Sequence, residues 1–265
     1  MHTFRNKKQK QITMKTKIAL VTGGSRGLGR DMAISLSKKG IDVILTYNVN
    51  KEDAEKVVSE INAIGQKAVA LQFDVSDLQF LDNFIVRLSF ALKEVWDTDK
   101  FDFLINNAGI GATVPILEAT EELFDQMLNI HFKGVYFLTK KTIPYLNNNG
   151  GIVFISTGLT RFSFPGYSIY SSFKGAVEVF AKYVAKEFGS LGIRANIVAP
   201  GAIETDFNNA AVRNNPKIKS FIASQTPLGR VGMPDDIGSV VAFLCTDEAK
   251  WINGQRIEVS GGINL

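Results

Sequence analysis

Tyr170 and Lys174 are four residues apart in the segment Tyr170-Ser-Ser-Phe-Lys174, so a helix would place both side chains on one face. A free tyrosine has a pKa of about 10, but a nearby ammonium favours the phenolate and lowers that pKa. Such a pair can move a proton to or from an alcohol oxygen while a hydride moves at the adjacent carbon. The pattern predicts redox chemistry at a carbonyl, with Tyr170 as the acid/base and Lys174 as its activator.

The spacing alone is not specific, because Tyr-x-x-x-Lys also occurs at Tyr47–Lys51 and Tyr136–Lys140. The match at Tyr170 differs because it opens a helix directly after a predicted central strand that ends in Ser156 and Thr157. For the other two matches we predict surface or packing roles.

A glycine-rich loop, Thr22-Gly-Gly-Ser-Arg-Gly-Leu-Gly29, lies between the first predicted strand and the first predicted helix. Glycines let the backbone turn tightly and approach a pyrophosphate, and the helix N-terminus adds partial positive charge. The loop therefore predicts a dinucleotide cofactor. The predicted contacts are Gly23, Ser25, Arg26, Gly27, Leu28 and Gly29.

The choice of cofactor depends on the end of the second predicted strand. A carboxylate there would bind the ribose 2′-hydroxyl of NAD, but the residues are Thr46, Tyr47 and Asn48. Arg26 in the glycine loop can instead bind a 2′-phosphate with two parallel hydrogen bonds. We predict NADP as the cofactor, with Asn48 beside it and NAD as the alternative.

Strands and helices alternate along the whole chain, and several strands are apolar at nearly every position, which indicates a sheet covered on both faces. We predict an α/β fold, a single-domain Rossmann-type doubly wound parallel sheet over residues 16–265. Residues 202–230 are polar and lack a period, and we expect an insertion over the site. The predicted strands are 17–22, 42–47, 67–73, 101–105, 151–155, 194–198 and 256–259; the predicted helices are 27–39, 51–64, 77–97, 120–146, 168–190 and 234–245.

Composition excludes several classes of protein. The 265 residues are 45% apolar and 21% charged, which is ordinary for a globular chain and unlike a disordered or fibrous one. Apolar stretches such as 240–245 are far shorter than the roughly 20 residues that span a bilayer. The single cysteine, Cys245, excludes a disulfide framework and a cysteine-based zinc site, so we expect a reducing compartment, the cytoplasm.

The net charge of +4 comes from the N-terminus. Residues 1–17 carry six basic residues and no acid, and the rest of the chain has 24 basic and 26 acidic residues. Such a tail can contact nucleic acid or an anionic membrane, but we favour a solvated, disordered terminus over residues 1–15. We predict a small-molecule carbonyl or alcohol as substrate, with no nucleic-acid or membrane partner. Met14 is an alternative start.

Five motifs occur in order and together carry a resemblance to a known family. They are Thr22–Gly29, Asp74-Val75, Asn106-Asn-Ala-Gly109, Tyr170 with Lys174, and Pro200-Gly-Ala-Ile-Glu-Thr205. The chain resembles the short-chain dehydrogenase/reductase family over residues 16–262, and its C-terminal pattern looks most like the 3-oxoacyl-carrier-protein reductase branch. The resemblance implies an NAD(P)-dependent oxidoreductase for ketones or secondary alcohols, which include 3-oxoacyl thioesters. It also implies a homo-oligomer, a tetramer or a dimer.

The resemblance further implies contacts with the cofactor. Asp74 and Val75 would border the adenine, Asn107 the adenosine ribose, and Ile203 and Thr205 the carboxamide, while Lys174 would also hold the nicotinamide ribose. Ala108, Gly109, Pro200 and Gly201 complete the expected contact set. Asn106 and Asn107 can also simply brace neighbouring strands, and both roles can hold together.

Two positions depart from the family pattern. The family's substrate-orienting serine, thirteen residues before the tyrosine, is Thr157 here, and threonine keeps the hydroxyl. The family's Asn-x-x-Gly, in which the asparagine serves a proton relay, aligns on Gly134 and places His131 at the asparagine position. Asn129 is two residues away, about 200° around an ideal helix. We expect His131 either to carry the relay with a titration near pH 6.5 or to be structural.

A non-enzymatic alternative is a nucleotide-sensing or scaffold protein on the same fold that has lost turnover. The replacements at His131 and Thr157 are its support. The intact pair of Tyr170 and Lys174 argues against it, because function follows the site rather than the fold.

Overall fold

The computed structural model describes residues 16–265, which are built around a parallel sheet of seven strands. The strands lie in the order β3-β2-β1-β4-β5-β6-β7, so the predicted Rossmann-type doubly wound sheet is confirmed. Their bounds are β1 Ile18–Val21, β2 Asp42–Tyr47, β3 Ala68–Gln72, β4 Phe101–Asn106, β5 Leu146–Ile155, β6 Arg194–Pro200 and β7 Arg256–Val259. The predicted basic tail, residues 1–15, lies outside the described residues.

Helices cover both faces of the sheet, which explains why its strands are apolar on both sides. Helices α1, α2 and α9 pack on one face around Met32, Leu36 and Val241, and α3, α5 and α6 pack on the other around Phe84 and Phe154. The bounds are α1 Gly27–Lys38, α2 Lys51–Ile64, α3 Leu81–Trp96, α4 Glu121–Leu128, α5 Gly134–Thr142, α6 Ser168–Glu187, α7 Phe207–Asn214, α8 Pro216–Ser224 and α9 Pro234–Leu244.

The sequence prediction and the structure differ most at three places. The predicted helix 120–146 is divided into α4 and α5 by a π-helical turn, Asn129–Lys133, and ends in the 3₁₀ turn Ile143–Tyr145. Strand β5 begins at Leu146 rather than at residue 151. Residues 147–149 are polar, so the apolar run that predicts a strand starts only after them, although Leu146 already pairs with β4. The irregular region 202–230 contains α7 and α8.

The carboxyl ends of β1, β4, β5 and β6 meet at one edge of the sheet, where the strand order reverses between β1 and β4. Ligands of open α/β sheets bind in the crevice at such a switch point. No helix within residues 16–265 is both long enough and apolar enough to cross a bilayer.

Candidate active site

A cavity of about 630 Å³ opens at this edge of the sheet. It is lined by every residue that the sequence analysis assigned to catalysis or cofactor binding, from Gly23 in the glycine loop to Thr205 after β6. The fold therefore brings together positions that are up to 182 residues apart in the sequence. How each residue acts there depends on its local contacts.

The glycine loop forms a cradle that larger residues would fill. Gly23 and Gly27 have φ values of +64° and +54°, which favour glycine. A Cβ on Gly29 would lie 2.0 Å from the Gly23 carbonyl oxygen, so the loop folds tightly onto the start of α1. This shape, with the amides of the first turn of α1 beside it, fits the pyrophosphate of a dinucleotide.

Asn107 braces the ends of two central strands, as the structural alternative predicted. Its side-chain amide donates to the Thr22 carbonyl at 2.8 Å and to the Gly23 carbonyl at 3.3 Å. The hydroxyl of Thr22 accepts from the backbone amides of Asn107 and Ala108 at 2.9 and 3.0 Å. These bonds hold the glycine loop against the segment after β4, which leaves a cofactor contact for Asn107 as a prediction.

The last residues of β2 and Asn48 after it bring no carboxylate into the cavity, although Asp53 and Asp74 line it nearby. Arg26 is exposed at the cavity, and Asn48 donates to Asp74 at 3.1 Å. The carboxylate of Asp53, which also lines the cavity, is paired with Lys56 at 2.9 Å. The contact between Arg26 and a 2′-phosphate stays a prediction.

Tyr170, Thr157 and Lys174 meet at the base of the cavity. Burial raises the pKa of Tyr170 above its ordinary value, although a hydrogen bond with Thr157 works in the opposite direction. The pKa of Tyr170 therefore shifts opposite to the lowering that was expected from a nearby ammonium, because desolvation by burial is its largest cause. Lys174 lies 5.7 Å from the centre of the Tyr170 ring, and its ammonium donates to the Ile155 carbonyl at 2.8 Å. Burial lowers the pKa of Lys174 to about 8.

Strand alternation separates Ser156 from Thr157, as the sequence predicts. The Ser156 hydroxyl donates to Glu178 at 2.6 Å, whereas the Thr157 hydroxyl faces Tyr170. Thr157 is therefore the hydroxyl residue placed to contact a carbonyl.

His131 lies in the π-helical turn, is fully buried and packs edge-on against Tyr170 with ring centres 5.1 Å apart. Its Nε2 lies 2.8 Å from the Ile110 carbonyl oxygen, which fits an Nε2–H donor. Nδ1 has no hydrogen-bond partner within residues 16–265. Burial and the charge of Lys174 lower the pKa of His131 to about 3, so the expected titration near neutrality is wrong.

The geometry of this turn depends on two glycines. A Cβ on Gly134 would lie 2.1 Å from the Val75 carbonyl oxygen, and a Cβ on Gly109 would lie 2.8 Å from the His131 ring. The close approach of α5 to the chain after β3 therefore requires glycine at 134. Because the cavity is lined by His131 and not by Asn129, the choice of His131 over Asn129 agrees with the structure.

The outer wall of the cavity includes part of the insertion that was predicted over the site, residues 202–230, but its apolar character was not predicted. It is apolar and aromatic, and comes from the loop between β5 and α6, from α7 and α8, and from the C-terminus. Its members include Leu159, Phe162, Phe164, Tyr167, Phe207, Ile218, Ile222 and Ile263. The run of aromatic residues between Thr157 and Tyr170 was an available signal, because a loop confined between two site residues has to border the site.

Comparisons with known proteins agree with this geometry. A family model described as enoyl-(acyl carrier protein) reductase matches residues 23–264. A short-chain dehydrogenase/reductase of Pestalotiopsis microspora is 38% identical over 256 residues, covering 93% of this chain and 94% of that protein. The trihydroxynaphthalene reductase PfmaI of Pestalotiopsis fici is 33% identical over 260 residues, which cover 94% of this chain and 90% of that protein. The crystal structure of the angucycline C-6 ketoreductase LanV with bound NADP is 33% identical in sequence and has a TM-score of 0.89. The match covers 94% of this chain and 96% of that chain.

Proposed function

The chain belongs to the short-chain dehydrogenase/reductase family, and from that membership we propose that it is an NADP-dependent ketoreductase acting on aromatic ketones. The observation that carries the proposal is the placement of Tyr170, Thr157 and Lys174 at the base of a cavity with an aromatic outer wall. The non-catalytic alternative is not favoured, because Tyr170 and Lys174 lie together in the cavity. Thr157 also keeps the hydroxyl of the serine that it replaces.

NADP fits the residues of the inner half of the cavity. The glycine loop, Asp74, Val75 and Asn107 would hold the adenosine end, with Arg26 and Asn48 at the 2′-phosphate. Lys174, Ile203 and Thr205 would hold the nicotinamide end, beside Pro200 and Gly201. When bound, NADPH supplies the hydride for the carbonyl carbon.

The protein supplies the proton and the orientation of the substrate. The raised pKa keeps Tyr170 a neutral phenol near pH 7, which is the form that donates a proton to the carbonyl oxygen. Thr157 donates a hydrogen bond to the same oxygen and holds it near Tyr170. Lys174 is cationic below its pKa of about 8 and stabilises the phenolate that forms.

His131 serves the proton path as a neutral imidazole. With Nε2–H directed at the Ile110 carbonyl, its Nδ1 is an acceptor beside Tyr170 and in the electric field of Lys174. We infer that Nδ1 accepts a hydrogen bond along the route that returns a proton to Tyr170. An asparagine carbonyl can do the same, which agrees with the exchange of one residue for the other.

The wall of the cavity favours a flat aromatic substrate. Phe162 and Phe164 pack edge-on with ring centres 5.5 Å apart, and the ring centre of Phe207 lies 6.0 Å from that of Tyr170, so aromatic side chains line the cavity and one of them borders the acid/base residue. Aromatic rings gain energy from such edge and face contacts beyond their burial. The similarity to a trihydroxynaphthalene reductase and an angucycline ketoreductase supports this class. A 3-oxoacyl thioester is the second candidate, supported by the match to the enoyl-(acyl carrier protein) reductase model.

Two broader expectations belong to the same proposal. A homo-oligomer, a dimer or tetramer, is supported by exposed apolar side chains on α5 and α6, including Tyr136, Val179 and Tyr183. A cytoplasmic location is supported by Cys245, the single cysteine, which is buried and unpaired.

The decisive experiment follows NADPH oxidation with two matched sets of substrates. One set contains bicyclic and tricyclic aromatic ketones, and the other contains acetoacetyl thioesters of increasing chain length. We expect kcat/KM to be at least tenfold higher for the aromatic set. Turnover of thioesters alone would favour the second candidate, and no turnover in either set would overturn the proposal.

A further inference from the structure

Four charged side chains form a network beside Thr157 but do not line the cavity. They are Arg161, Glu178, Arg256 and Glu258. The guanidinium of Arg256 on β7 uses all three of its nitrogens within it. Nε donates to Glu178 at 2.9 Å, Nη1 donates to Glu258 at 2.9 Å, and Nη2 donates to the Thr157 carbonyl at 3.1 Å.

Glu178 holds the opposite side of the same segment. It lies one helical turn after Lys174 on α6, and its Oε1 accepts from the Ser156 hydroxyl at 2.6 Å and lies 2.8 Å from the Thr160 hydroxyl. Arg256 also donates to the Thr160 hydroxyl at 3.1 Å. Arg256 and Glu178 therefore bind the chain on both sides of the Thr157 hydroxyl, at Ser156 before it and at Thr160 after it.

The planar guanidinium makes this set of hydrogen bonds specific to arginine. The side chains of Arg256 and Glu178 are 22% and 15% exposed, so their bonds are partly shielded from water. Charge-assisted bonds of this kind are shorter and stronger than neutral ones. A lysine keeps the charge but cannot bridge two carboxylates and a carbonyl in one plane.

We propose that Arg256, acting with Glu178, is a positioning residue for catalysis. It fixes the backbone at Thr157 so that the hydroxyl faces Tyr170. The proposal rests on the proposed function. It adds to that function a determinant outside the cavity, on the edge strand of the sheet.

A double-mutant cycle between Arg256 and Thr157 tests the proposal. Arg256→Met should lower kcat and kcat/KM together by about 10²-fold, because small displacements of site groups carry penalties of this size. In a Thr157→Val background, which retains the carbonyl but lacks the hydroxyl, Arg256→Met should cost less than twofold. Equal losses in both backgrounds, or no loss in either, would overturn the proposal.

Arg161→Met is the matched control. Arg161 also pairs with Glu258, at 2.7 Å, but its other bonds go to the carbonyls of Ile263 and Asn264. Because Ile263 lines the cavity, we expect this variant to change KM, and by the same factor in the Thr157→Val background. Coupling of Arg161 to Thr157 as strong as that of Arg256 would contradict the assignment to Arg256.

A readout without substrate separates this proposal from the proposed function. Hydrogen exchange of the amides in 157–162 should become faster in Arg256→Met, while NADPH affinity stays within twofold of wild type. If Arg256→Met does not fold, Arg256→Lys provides the same comparison, with a smaller loss of kcat. Unchanged exchange in 157–162 overturns the positioning role. Changed exchange in a chain that reduces no ketone supports that role and rejects the proposed function.

Discussion

Burial favours the protonated form of Tyr170. The sequence places a lysine one turn away and suggests a lowered pKa, but burial of the phenol raises the pKa of Tyr170 and favours the protonated form. The neutral phenol is the donor that ketone reduction requires.

We expect Tyr170→Phe to lower kcat by about 10²–10⁴-fold, the usual contribution of a positioned proton donor. NADPH affinity should not change, because the phenol serves proton transfer. Lys174→Ala should weaken both turnover and cofactor binding. Tyr136→Phe is the control, since Tyr136 is 40% exposed on α5 and packs against Phe180. Steady-state kinetics and NADPH fluorescence measure both effects, and near-wild-type turnover in Tyr170→Phe would assign the proton to another group.

Arg26 is the residue on which cofactor preference should depend. We expect wild type to bind NADPH more tightly than NADH by about 1.5–3 kcal/mol, the range for a hydrogen bond to a charged group. Arg26→Ala should remove most of this difference by weakening NADPH alone. Arg30→Ala is the control, because Arg30 is also exposed on α1 but pairs with Glu60 at 2.5 Å. Titration of both cofactors measures the difference, and equal affinities in wild type would contradict the prediction.

At the scale of elements, the π-helical turn between α4 and α5 brings His131 into the site. Its backbone amide at Gly134 donates to the Asn129 carbonyl, five residues earlier, and the turn fits against Val75 because residue 134 is glycine. Single π-helical turns within helices are common at functional sites. The turn buries an imidazole that would otherwise titrate, which has a measurable consequence for stability.

We expect wild type to lose stability on acidification faster than His131→Asn does. Between pH 6.5 and about 3, the unfolded chain binds a proton at His131 that the folded chain does not bind. Stability must therefore fall as the pH falls through this window, by roughly 2 kcal/mol between pH 6.5 and 4.5. Denaturant unfolding of both proteins across this range measures the difference.

The same histidine should add no titration of its own to the pH profile of kcat near neutrality. Both wild type and His131→Asn should give superimposable profiles of kcat between pH 6 and 7.5, because neither residue changes charge there. Parallel stability curves, or a titration of kcat near pH 6.5 that the asparagine variant lacks, would show that the imidazole is protonated in the folded enzyme.

Much of this architecture could be predicted from sequence because it depends on local patterns. Strand β2 and strand β7 have the predicted bounds, since apolar runs between turn residues define them. The π-helical turn could not be predicted, because it depends on contact between Gly134 and the distant Val75. Helix α8 could have been found, because Asn215 caps it and Pro216 begins it, a known start signal.

The candidate site also has one part that the sequence predicts and one part that it does not. The cofactor side could be predicted because its glycines and strand ends occur in fixed order. The network around Arg256 could not, because its bonds join the segment after β5 to α6 and β7 across about a hundred residues. An arginine in an edge strand has no local pattern that distinguishes it from a solvated one.

At the scale of the whole molecule, α5 and α6 present an apolar face that a second copy can cover. Tyr136 packs against Phe180 with ring centres 4.5 Å apart, and Val179 and Tyr183 are 54% and 63% exposed one helical turn apart on α6. Large exposed apolar patches on such a surface mark interaction sites. A stable interface buries about 1,200–2,000 Å² in total, and we expect the 20-residue helix α6 and the nine-residue helix α5 of each copy to contribute to it.

We expect wild type to sediment as a dimer or tetramer, and Val179→Lys combined with Tyr183→Lys to sediment as a smaller species. Two ammonium groups on this face would have to lose their water to be buried, which opposes association. Ile64→Lys is the control, since Ile64 is 41% exposed at the end of α2, on the other face of the sheet. Because α6 also carries Tyr170 and Lys174, the dissociated variant should lose kcat as well, with a thermal midpoint that no longer rises with protein concentration. A monomeric wild type, or a double variant that sediments like wild type, would place any interface elsewhere.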